Sequence, residues 1–74
     1  METYVDLYIN SDGEKASVIN KKLFEIGLKS SMGGHDFMYD WKGIVDKSEV
    51  VALADKIQLK LKGTGVFMKF ITVR

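Results

Sequence analysis

The stretch Ser30-Ser31-Met32-Gly33-Gly34-His35-Asp36-Phe37-Met38-Tyr39-Asp40-Trp41 decides how the rest of the chain is read. Its centre is a Gly-Gly pair between two β-compatible segments, which is a two-residue hairpin signal because both central positions of the favoured turn need positive φ. A short strand is therefore expected from about Leu28 to Met32, and a second from Phe37 to Trp41. Without that hairpin the chain would read as two β-α units and a final strand; with it, the element count is four strands and two helices.

Upstream, Tyr4-Val5-Asp6-Leu7-Tyr8-Ile9 alternates strictly, so one strand face carries Val5, Leu7 and Ile9 and the other Tyr4, Asp6 and Tyr8. Ser11-Asp12-Gly13-Glu14 has the spacing of a capping box. Ala16, Ile19, Leu23 and Ile26 follow as one helical stripe, and Gly27 supplies a left-handed stop. Downstream the plan repeats. Asp46-Lys47-Ser48-Glu49 is a second acidic cap, Val50, Leu53, Ala54, Ile57 and Leu61 form a second stripe, Gly63 and Gly65 end it, and Val66 to Val73 is β-rich. Ser11 and Asp46 lie 35 residues apart, Gly27 and Gly63 36 apart. The order is then β-α-β-β-α-β. Right-handed crossovers put both helices on one face of a four-stranded antiparallel sheet of order 4-1-3-2. The expected class is α+β, a ferredoxin-like fold in one domain over residues 1–74.

At 74 residues and 46% apolar composition the chain has room for one core, and a domain this small buries only about 60% of its unfolded surface. Cysteine is absent, so disulfides and thiolate metal sites are excluded, and self-association is the remaining route to more burial. The N-terminal METYVDLYIN carries acids and alternates, unlike a signal peptide, and no apolar run has the length of a membrane span. A cytoplasmic protein with no membrane partner is expected. Net charge is +1, unevenly spread: residues 56–74 hold five basic residues and no acid. Lys56, Lys60 and Lys62 there suit the negative end of a helix dipole, so the basic tail does not by itself imply nucleic acid.

Burying charges under helices is expensive. Phe37, Tyr39 and Trp41 are therefore assigned to the helix side, with Met38, Asp40 and Lys42 facing away. Lys69 likewise sends Phe67, Ile71 and Val73 outward and leaves Val66, Met68 and Phe70 inside. The open face then holds Tyr4, Asp6, Tyr8, Met38, Asp40, Lys42, Phe67, Lys69, Ile71 and Val73. It is too apolar for a sheet left in water and reads as a homodimer contact. Asp6, Asp40 and Lys69 are expected to meet on it as a register-setting charge cluster rather than as acid-base machinery.

Gly33-Gly34-His35-Asp36-Phe37, between a short strand and an aromatic-apolar strand, is similar to the glycine-x-x-aspartate turn of the effector-binding (RAM) domain of Lrp/AsnC regulators. The first strand, the capped helix and the helix running into Gly63-Thr64-Gly65-Val66 and a last strand match the same order. The resemblance covers nearly the whole chain, in pattern rather than exclusive signature, and ACT domains and other dimeric α/β-barrel modules share much of it. It implies a homodimer formed by sheet packing that binds an amino acid or similar metabolite between subunits. Carried over, Gly33, Gly34 and Asp36 are the matching loop positions, with His35 beside them as a ligand-binding candidate. The family's helix-turn-helix domain has no counterpart in these residues, so DNA reading would need a partner.

His35 stands alone, without Cys, a second His or HExxH spacing, so no metal is expected and His35 reads as a solvent-facing turn residue. Asp36 is expected to accept from turn amides, with contact to a ligand amino group as the alternative. Gly33-Gly34 is too short for a phosphate-binding loop, and no cofactor is expected. Two other classes stay open. Tyr4, Tyr8 and Phe67 on an open sheet suit RNA stacking, but the RNP-type arrangement is absent and Asp6 and Asp40 oppose phosphates. A small dimeric ferredoxin-like enzyme lacks a matched nucleophile and base, so no catalytic residue is assigned.

Overall fold

The computed structural model describes all 74 residues. Its elements are β1 (Glu2–Tyr8), α1 (Ala16–Ile26), β2 (Lys29–Ser30), β3 (Phe37–Asp40), α2 (Lys47–Lys60) and β4 (Phe67–Val73). The four strands form one antiparallel sheet of order β2-β3-β1-β4, which is the α+β, ferredoxin-like arrangement the hydrophobic pattern called for.

β1 lies inside the sheet, paired with β3 on one side and β4 on the other. Val5 is fully buried, Leu7 packs on the core, and Thr3 is 1% exposed. Thr3 enters the core because β1 starts two residues earlier than the alternation alone suggests. Its hydroxyl is satisfied there: Trp41 Nε1–H donates to Thr3 Oγ1 at 2.8 Å, and Thr3 Oγ1 lies 2.9 Å from Thr72 Oγ1. Ile9, expected in the core, lies past the strand end and is exposed. The facing of the other strands follows the cost of charge burial. Phe37 is buried, Tyr39, Trp41, Val66, Met68 and Phe70 pack on the core, and Lys69 and Phe67 are exposed.

The helices supply Ile19 and Leu23 from α1 and Leu53 and Ile57 from α2 to one cluster with Val5, Leu28, Phe37 and Leu61. Phe24 meets Phe37 edge-on with ring centroids 5.4 Å apart. Gly27 ends α1 in the left-handed region at φ 108°, as a helix stop next to Tyr39 requires. α2 begins at the expected cap, a capping box in which Asp46 N–H donates to Glu49 Oε2 at 3.2 Å.

The cap expected over Ser11–Glu14 does not form. α1 starts at Ala16 behind Lys15 with no side-chain cap. The preceding loop is instead tied down elsewhere: Gly13 N–H donates to Asn10 O at 2.9 Å and Glu14 N–H to Thr64 O at 3.0 Å. That second bond joins the β1–α1 loop to the α2–β4 loop, and its approach leaves no room at Gly13, where a Cβ would clash with the Thr64 carbonyl.

The hairpin is also looser than a two-residue turn. Lys29↔Met38 and Ser30↔Phe37 pair, and Ser31 N–H donates to Asp36 O at 3.0 Å. The pairing is centred on the Gly33–Gly34 bond, but it opens into a four-residue loop, Met32–His35, in which only Gly33 has positive φ. His35 is drawn toward β1, as described below, and so cannot pair with Met32. The expected strand from Leu28 to Met32 shrinks accordingly to Lys29–Ser30.

Gly13→Ala is expected to cost about 1–3 kcal/mol, because the carbonyl it meets belongs to backbone that is already bonded. Gly34→Ala, with open space around the new Cβ and no positive φ, should change stability by less than about 0.5 kcal/mol. Urea denaturation of the two variants checks the difference.

Candidate functional site

The β1–β3 ladder pairs Glu2↔Asp40 through Val5↔Phe37 and then stops. Continued by one step it would set Asp6 opposite Asp36, two acids face to face, which disfavours pairing. The chain resolves this with side chains. Asp36 Oδ2 accepts the Leu7 N–H at 2.8 Å, taking the place of the missing strand partner. Asp6 accepts from His35, whose Nδ1 lies 3.0 Å from Oδ1 and 3.2 Å from Oδ2, and from the Asp36 N–H at 3.4 Å. The His35 ring stacks on Tyr4 with centroids 4.6 Å apart and planes 26° from parallel.

His35 is thus not a solvent-facing turn residue. It is half-buried on the open sheet face, held by an acid and an aromatic ring from β1. Because an ionised carboxylate only accepts hydrogen bonds, the contact to Asp6 is made by a protonated Nδ1. The Asp6–His35 pair resembles the orienting half of a general-base unit. No hydroxyl, thiol or amine of the chain is hydrogen-bonded to His35. No three His, Asp or Glu side chains gather as a metal site.

The expected Asp6–Asp40–Lys69 cluster does not form. Asp40 stands opposite Glu2, four residues along β1 from Asp6, which is about 13 Å at strand spacing. Its Oδ1 accepts the Lys42 N–H at 2.8 Å. Lys69 does lie opposite Asp6 across β1 and β4, but Asp6 is committed to His35, and Lys69 makes no ion pair. Asp36, expected to accept from turn amides, accepts from β1 instead. Gly33 and Gly34 shape the loop tip next to Met32, which is 96% exposed.

The remaining open-face residues sit in cross-strand rows. Lys29, Met38, Tyr4 and Ile71 form one row, and Tyr8 and Phe67 another. Tyr8 is 62% and Phe67 74% exposed. Lys42 lies beyond the end of β3 in the left-handed region at φ 56°, where the strand alternation no longer places it. On the helix side of the same turn a cleft of about 460 Å³ opens between the end of β1, the first turns of α1 and the β2–β3 pair. Sequence reasoning placed Asp6 and His35 on separate surfaces and missed Asn20 and Ser30 at the cleft. The usable signal was the register. Once Val5 pairs Phe37, the residues at 35 and 36 must reach Asp6 and Leu7.

No protein-family model, curated protein or solved structure matches the chain. No helix is long and apolar enough to cross a membrane.

Asp36→Ala should leave the Leu7 N–H without its partner, at a cost of about 1 kcal/mol, and speed exchange of the Leu7 amide. Asp36→Asn keeps an oxygen acceptor and should preserve most of the protection. Hydrogen exchange followed by NMR distinguishes the two; equal loss in both variants would mean the charge, not the acceptor, holds the turn.

Proposed function

We propose that this chain is a small homodimeric ligand-binding or regulatory module, built like a RAM-type effector-binding domain, with a second copy packed on its open sheet face. A small-molecule effector, an amino acid or similar metabolite, sits at the Gly33–Asp36 turn. The observation that carries the reading is the bare face itself. Tyr4, Tyr8, Met38, Phe67 and Ile71 share it, and both helices lie on the other side.

The size of the surface supports the same reading. A folded monomer of this mass exposes about 4,600 Å², whereas this chain exposes 5076 Å². Its extents of 37 × 25 × 18 Å describe a slab, as expected of one sheet covered on one side only. The face also carries both signs of charge, Glu2, Asp6 and Asp40 against Lys29 and Lys69. A mixed face suits a second copy of itself and opposes a polyanion, which needs a positive one. A non-enzymatic role and a cytoplasmic setting belong to this reading.

Sedimentation at micromolar concentration is expected to give twice the 8.3 kDa chain mass. Tyr8→Lys should give a monomer, because it places an unpaired charge in the contact. A monomeric parent chain would overturn the dimer and favour RNA stacking on the open face; an unchanged Tyr8→Lys dimer would move the contact elsewhere.

A further inference from the structure

The cleft behind the turn carries three polar side chains, Asp36, Asn20 and Ser30. Asp36 Oδ2 is taken by the Leu7 N–H, while its Oδ1 has no partner. The Asn20 amide and the Ser30 hydroxyl, which share the rim, make no hydrogen bond within the chain. Leu7, Ile9 and Phe37 line the same cleft and give it an apolar wall, Phe37 buried and Ile9 exposed.

Charge comes first in deciding what fits. Asp36 is the one ionisable side chain lining the cleft, so complementarity selects a cation. The type of cation follows from the donor count. An alkylammonium donates three hydrogen bonds, and Asp36 Oδ1, the Asn20 carbonyl and the Ser30 hydroxyl offer three acceptors. A guanidinium binds a carboxylate best through both oxygens at once, and one of the two is already held by Leu7. A hard divalent metal needs six or more oxygens, more than this rim provides. The apolar wall accounts for the rest of the molecule, and a volume of about 460 Å³ admits a short alkyl chain.

We propose that this cleft binds a small primary alkylammonium ion, its nitrogen on Asp36 Oδ1, Asn20 and Ser30 and its alkyl group on Leu7, Ile9 and Phe37. The proposal deepens the preceding reading by naming the class of ligand at the Asp36 turn. It does not depend on the dimer, since Tyr4, Tyr8 and Phe67 lie on the opposite face of the sheet.

The test is an NMR titration of the full ¹⁵N-labelled chain with isopentylamine, isopentanol and isovalerate. The amine should give saturable shifts centred on Leu7, Ile9, Asn20 and Asp36, with the alcohol about tenfold weaker for want of the charge-assisted bond and the acid giving no saturable shift. Asp36→Asn retains an acceptor for Leu7 and, with its folded spectrum as the check, should lower amine affinity to that of the alcohol. Equal affinity for amine and alcohol, shifts confined to other surfaces, or undiminished binding in Asp36→Asn would each overturn the proposal. Sedimentation of the same samples separates the two readings: saturable amine binding by a monomer upholds the cleft and removes the dimer, and a dimer that ignores the amine does the reverse.

Discussion

The pairing of Val5 with Phe37 at the centre of the sheet is the constraint on which the other features depend. Both residues are buried, Val5 completely, and side chains in register share a face. Fixing that pair sends Thr3, Leu7, Tyr39 and Trp41 toward the helices and Tyr4, Asp6 and Met38 away from them. A slip of β3 by one residue would carry Asp40 under the helices and put Phe37 in water, and the same slip of β1 would do so to Asp6 and Val5, so alternative registers are strongly disfavoured. The same pair sets where the ladder ends. One step further, two carboxylates would oppose each other, and the chain leaves strand geometry there.

That ending is what gives the turn its chemistry. In a ladder continued by backbone alone, residues 35 and 36 would be interchangeable with any strand residues. Here Asp36 supplies the acceptor that Leu7 lost, and His35 supplies the donor that Asp6 needs. Neither role suits an apolar residue, since a buried or half-buried polar group without a partner costs more than a made bond contributes. The four-residue loop follows from the same bonds, because His35 cannot both stack on Tyr4 and close a tight hairpin.

Much of the architecture was legible from periodicity because each helix has one apolar stripe and the charged positions of each strand fall on one face. Lys69 alone orients β4, and Asp40 orients β3. The local ends were less legible. Ser11 and Glu14 have cap spacing, yet the loop bonds to Thr64, a contact across 50 residues that no local pattern announces. Thr3 reads as surface and is core because Trp41 and Thr72 satisfy its hydroxyl. The charge cluster failed for a similar reason. Asp6, Asp40 and Lys69 were placed together by facing alone, and facing says nothing about position along the strand, which the register decides.

The turn also joins two surfaces that would otherwise be independent. His35 lies on the open face and Asp36 on the rim of the helix-side cleft, and the Asp36 N–H donates to Asp6 Oδ1 at 3.4 Å. A ligand in the cleft and a second copy on the open face, as proposed above, would meet groups joined to one another through one peptide unit and one carboxylate. Binding linkage is reciprocal: whatever a cleft ligand does to the affinity of one open face for another, self-association does equally to the ligand. The physical carrier is short. The Asp36 carboxylate that a cation would meet and the His35 ring over Tyr4 belong to adjacent residues, and that ring is part of the face a second copy would meet. A ladder continued past Val5 and Phe37 would join the strands here by backbone bonds alone, whereas the two sides of the sheet instead share the side-chain bonds of Asp6, His35 and Asp36.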